Sequence, residues 1–163
     1  MPEDGSGGAG VRNGDDLDGI GVALCGCLGG LAVLAGCSTA DAGPTVEKAG
    51  ETLQRHITEL MESVDPEETV VTDAGGKDVA CGADGVKRTY GVRSVFSRSS
   101  VLLLPEMAGT LSTTWGYKVH EAYKAGSPRT TLKLASSRTS ITLETLSDHE
   151  AVATGVTDCL PRG

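Results

Sequence analysis

The residues with the most chemistry to offer in this 163-residue chain are five cysteines and three histidines. Cys37 stands out by position. It closes the uncharged run "IGVALCGCLGGLAVLAG", Ile20 to Gly36, and is followed by the small and polar "STADAGP". A thiol there is a disulfide partner, a member of a membrane-spanning helix, or a site of chemical modification. Cys25 and Cys27 lie inside the run and read as small apolar members of it. Cys81 and Cys159 lie far apart, without the close Cys-x-x-Cys spacing or extra ligands that metal or redox chemistry wants.

His56, His120 and His149 are scattered, and none has a His-x-x-x-His partner, so each reads as a partly exposed surface residue. "SDHE" gathers Asp148, His149 and Glu150, a weak acid-base or metal cluster, but neighbours on a turn point in different directions. Ser94, Ser97, Ser99 and Ser100 lack the Gly-x-Ser-x-Gly elbow of a nucleophile. Gly75-Gly76 and "CGADG" read as turns and not as phosphate loops. Lys87, Arg88, Arg93 and Arg98 form a local basic cluster, read as a solvated strand face, with anionic wall polymer or lipid headgroups as the alternative contact. No catalytic residue, metal ligand or cofactor is assigned from these patterns.

The elements that must position these residues follow from composition and periodicity. A formal charge of -8, with 22 acids against 14 bases, excludes a phosphate-backbone binder and reads as solubility. Five aromatic side chains, Phe96, Trp115 and three tyrosines, leave a small core of Val, Leu, Ile and Ala. Residues 1–19 are rich in glycine, with five acids against Arg12, and read as a disordered leader. The apolar run 20–36 is about 26 Å long as a helix, near the lower limit for a membrane span.

Beyond the spacer, Thr45 is placed to cap a helix whose apolar positions Val46, Ala49, Leu53, Ile57, Leu60, Met61 and Val64 make one face, stopped by "DPEE". "VVT" and "DVAC" read as one interrupted edge strand, and "VKRTYGVRSVF" as a strand with Arg88, Tyr90, Val92 and Phe96 on one face. A second helix runs through Leu104, Met107, Ala108, Leu111 and Trp115, with Pro105 in its first turn and Gly116 at its exit. Trp115 reads as a core anchor. "YKVHEAY", "TTLKLASS" and a hairpin turning near Ser147 to Glu150 complete the order α-β-β-α-β-β-β-β: an α+β domain, 45–163, of two helices and an antiparallel sheet of five to six strands.

Leu34-Ala35-Gly36-Cys37, at the end of an uncharged run and before "STADAGP", resembles the lipobox of bacterial lipoproteins. The resemblance implies a signal region at 20–36, a diacylglyceryl group on Cys37, removal of the preceding peptide, and a lipidated tether over 37–44. Two acyl chains suit stable anchoring, at about 0.8 kcal/mol per buried methylene. A start at Val11 would replace the acidic leader with Met-Arg-Asn-Gly. The later pattern, including "TTWGYKV" and "VTDCLPRG", is similar to a broad group of small actinobacterial lipoproteins. With 20–36 removed and the chain exported, Cys81 and Cys159 are expected to pair as a disulfide across roughly 80 residues.

These expectations combine as a lipoprotein on the outer face of the cell membrane of a Gram-positive, actinobacterial cell. It is a monomer anchored through the lipid on Cys37, with an envelope protein, polymer or small ligand as partner. A binding or interaction module is the leading function, with the sheet face not covered by helices as the place to look. An envelope-acting hydrolase using His149 and nearby acids, and an accessory subunit docking through an apolar patch, are the alternatives.

Overall fold

Val46, Ala49, Leu53, Ile57, Leu60 and Met61 recur at three- and four-residue spacing, and helix α1 (Val46–Ser63) buries all six, the last four in the main core against a sheet. The computed structural model describes residues 43–122 and 128–162. The leader 1–19, the apolar run 20–36, Cys37 and tether residues to 42 lie outside the described residues. Thr45 stands at the cap position of α1, but its hydroxyl makes no capping bond. The exit is made by Asp65, at φ 51° in the left-handed region, ahead of Pro66.

The chain then runs β1 (Glu68–Asp73), β2 (Val79–Cys81), β3 (Gly85–Lys87), β4 (Thr89–Val95), α2 (Ser100–Thr114), β5 (Lys118–Glu121), β6 (Arg129–Leu134), β7 (Thr139–Ser147) and β8 (Glu150–Thr157). Six strands form an antiparallel sheet in the order β1-β4-β8-β7-β6-β5, and β2 with β3 forms a separate two-stranded ladder. The α+β class and the six-stranded sheet agree with the sequence. Between the helices, however, there are four strands and not two.

Two local causes account for that difference. "DVAC" does not extend β1: it folds back on β3, and the hairpin is tied to the chain beyond β8 by Cys81–Cys159 and by the paired backbone groups of Val86 and Leu160. "VKRTYGVRSVF" breaks at Arg88, whose carbonyl accepts from Thr157 N–H at 2.9 Å and whose own N–H donates to Thr157 Oγ1 at 3.0 Å. The break turns the strand from the small ladder into the large sheet.

Period-two alternation in the sheet decides the layers. Tyr90, Val92 and Ser94 of β4, Leu132 of β6, Ile141 and Leu143 of β7, and Ala151 and Ala153 of β8 are buried toward the helices. Thr89, Arg93, Thr131, Thr142, Val152, Thr154 and Val156 line the opposite face, which no helix covers among the described residues. The closest approach of helix to sheet is at Gly155, where a Cβ would meet Leu53 and, at 2.8 Å, Cδ1 of Ile57. Val46, Ala49, Val86 and Leu160 form a satellite core under the disulfide-tied hairpin.

Helix α2 starts a turn earlier than expected, so Pro105 falls inside it and not in its first turn. Its amino end is fixed by the β7–β8 hairpin: Ser100 N–H donates to the Asp148 carbonyl at 2.7 Å, and Ser100 Oγ donates to the Ser147 carbonyl. At the other end Gly116, φ 78°, turns the chain out, and Tyr117 N–H donates back to the Leu111 carbonyl. Among the described residues no helix is long and apolar enough to cross a membrane.

Candidate functional site

Val101, Leu104, Pro105 and Ala108 follow the i, i+3, i+4, i+7 spacing of one helix face, and α2 presents this stripe to the short edge strand β5 and to β6. Between them lies a groove of about 480 Å³, closed on the other side by Val119, Ala122 and Thr130. That volume falls within the range of small-molecule sites. Leu104 is buried at its floor, while Val101 and Val119 remain 47% and 54% exposed. Pro105 lies inside the helix and has no amide to give the carbonyl of Val101, which borders the groove. None of these seven residues titrates, and Thr130 supplies the one side-chain hydroxyl. The lining suits an apolar guest and offers neither acid nor base. This groove sits on the helix-bearing side of the sheet; the bare face that the sequence pointed to carries a smaller concavity beside Thr89, Thr142 and Thr154.

Cys81 and Cys159 are joined in a disulfide with Cα atoms 5.8 Å apart. Gly85 sits against it: a Cβ there would strike the Cys159 sulfur and come within 2.8 Å of the Cys81 carbonyl oxygen. Cys159 is exposed, so the bond is reachable by solvent. Cys37, the expected lipid site, lies outside the described residues.

The three histidines occupy three unrelated places. His120 is exposed on edge strand β5. His149 lies in the β7–β8 turn, its Nδ1–H donating to the Phe96 carbonyl at 3.2 Å while its own carbonyl accepts from Phe96 N–H. Asp148 and Glu150 flank it in sequence but have other tasks: Asp148 holds the start of α2 and Glu150 pairs with Arg93. His56 corrects the surface expectation, being buried between helix and sheet. Its Nδ1 lies 3.2 Å from Tyr117 Oη, Tyr117 Oη lies 2.9 Å from Thr139 Oγ1, and Ser137 Oγ lies 2.8 Å from the same threonine. The imidazole also stacks on Trp115, with centroids 4.9 Å apart. Burial pushes the His56 pKa below the usual histidine value; Arg55 adds to the shift and Glu59 opposes it. Burial raises the Tyr117 pKa. The network spans α1, the exit of α2 and β7. Its one sequence signal was an aromatic pair flanking the Gly116 exit.

Three members of the basic cluster, Arg88, Arg93 and Arg98, form ion pairs. Arg88 is no solvated strand residue: its stem lies over Gly50 of α1, and its guanidinium donates to Asp78 at 2.8 Å and Glu47 at 3.4 Å. Arg93 pairs with Glu150 and Arg98 with Glu106. Among the described residues no group of three His, Cys, Asp or Glu could hold a metal ion.

No known family, no curated protein and no solved structure matches the chain.

Proposed function

We propose that the chain is a lipid-anchored binding module of the cell envelope, held to the outer face of the membrane through Cys37, whose α2–β5 groove takes an acyl chain of a membrane lipid. The carrying observation is the groove itself, about 480 Å³ with an apolar lining and no titratable group among its described lining residues. The occupant follows from reach. A tether over 37–44 spans at most about 29 Å fully extended, which keeps the domain beside the bilayer, where acyl chains are the abundant apolar groups. The exposed Cys81–Cys159 bond supports an oxidising, extracytoplasmic location, because such a bond is reduced in most cytosols.

Binding of a fluorescent polyene fatty acid to the full chain tests this. Saturable binding that falls at least tenfold in Ala108→Trp and in Val119→Glu, with unchanged unfolding midpoints, is expected. Equal binding by both variants, or none by the parent, would remove the groove from the function.

A further inference from the structure

We infer that β1 is a docking edge for an extended peptide segment that carries lysine or arginine at its ends and apolar residues between. This surface lies apart from the groove, and the inference does not rest on it. Among the described residues β1 pairs with β4 on one side and with no strand on the other. All six of its residues are exposed, Val70 and Val71 by 49% and 51%. The two sheet edges differ in kind. β5 is four residues long, contains Lys118 and is broken by an irregularity between Val119 and Glu121. These are features that blunt an edge against pairing. β1 is six residues long, without lysine or proline, and its irregularity is confined to the stretch between Val71 and Asp73.

The edge is held ready at both ends. Glu67 N–H donates to the Val95 carbonyl at 2.9 Å before the strand begins. After it, the Asp73 carboxylate accepts from Gly75 N–H at 2.9 Å and from the Thr89 hydroxyl, and these bonds keep it ionised. A strand fixed in this way loses little conformational freedom when another pairs with it.

Charge selects the occupant. From Asp65 to Lys77 the chain carries four acids, Asp65, Glu67, Glu68 and Asp73, against Lys77, which acts on Asp73, so the edge keeps a net negative charge concentrated at Glu67 and Glu68. Antiparallel pairing of two copies about Val70 would set Glu67 of one opposite Asp73 of the other, so a second copy is repelled. A segment with cationic ends meets carboxylates at both ends, and main-chain bonding along Thr69 to Thr72 supplies the remainder.

The test titrates the full chain with three capped peptides: Lys-Val-Thr-Val-Thr-Val-Lys, its counterpart with glutamate at both ends, and the lysine peptide N-methylated at alternate residues. The lysine peptide is expected to bind at least tenfold tighter than the glutamate one, with the difference shrinking in 0.5 M salt, and the methylated peptide is expected not to bind. Amide exchange should slow along β1. The double variant Glu67→Lys, Glu68→Lys, with an unchanged unfolding midpoint, should reverse the preference. Equal binding of both charged peptides, protection confined to the α2–β5 groove or the bare sheet face, or concentration-dependent dimerisation through β1 would overturn it.

Discussion

Nδ1 of His56 lies 3.2 Å from the phenolic oxygen of Tyr117, and this one contact joins α1 to the strand-entry segment that follows α2. The imidazole is neutral in the fold because burial disfavours its charged form, with Arg55 adding to the effect. The unfolded chain therefore takes up a proton at a higher pH than the folded one. Stability is at its full level above the unfolded histidine pKa, near 6.5, and falls as pH drops from there toward the lower folded value. The urea midpoint should decline between pH 7.5 and 5, and His56→Gln should flatten that decline. An unchanged slope in the variant would sink the assignment. Asp73 acts in a separate window: its pKa is lowered chiefly by the Thr89 hydrogen bond, so its contribution is lost only in acid, below about pH 4.

Reduction of Cys81–Cys159, or the double change Cys81→Ser, Cys159→Ser, should lower the unfolding free energy by about 4 kcal/mol, the chain-entropy value for a loop of this length. The loss should begin locally. Amides of Val79–Cys81 and Gly85–Lys87 should exchange freely before the large sheet does, because the hairpin then rests on the satellite core, the Val86–Leu160 pairing and the Asp78 ion pairs with Arg88 and Arg162. Uniform loss of protection would show that the bond stabilises the domain without holding the hairpin.

Gly155→Val should cost about 1–3 kcal/mol, since the added branches meet Leu53 and Ile57 at the tightest point between α1 and β8. Circular dichroism in urea reads the change. Thr154→Val, on the bare face, is the control and should lie within about 0.5 kcal/mol of the parent.

Cys37→Ser should abolish membrane attachment if that cysteine carries the anchor. In the parent, mass spectrometry of the envelope form should find a diacylglyceryl group on an amino-terminal Cys37. A parent protein that partitions to the aqueous phase without lipid would defeat the proposal.

The elements written in local periodicity were legible. The seven apolar positions from Val46 to Val64, the shared face of Ile141, Leu143 and Thr145, and the turn at Asp148–His149 all lie where spacing put them. What escaped was set by partners distant in sequence. Three-residue strands such as Val79–Cys81 and Gly85–Lys87 are too short for a period to register, and their pairing rests on a bond 78 residues away. The break at Arg88 is imposed by Thr157, Asp78 and Glu47. His56 lies beside the apolar stripe, three residues after Leu53 and four before Leu60, but the hydrogen-bond partner that lets it be buried lies 61 residues on. The candidate groove was half legible: the α2 stripe can be counted, but the gap beside it exists only because β5 is short and sits at the sheet edge.

β8 holds the third place among six strands although it comes last of them in chain order, and it supplies two of the three inner pairings, with β4 and with β7. A chain that has emerged only as far as β7 therefore possesses two separate pieces of sheet, β1 with β4 and the meander β5-β6-β7, and neither helix has its full seat. No strand short of β8 pairs the two pieces into one sheet. Such an order delays tertiary structure until nearly all of these strands are in hand, and the distant pairings make closure slow, on the millisecond-to-second scale typical of high contact order. A polypeptide so arranged closes its main sheet late, once its last strand is in hand.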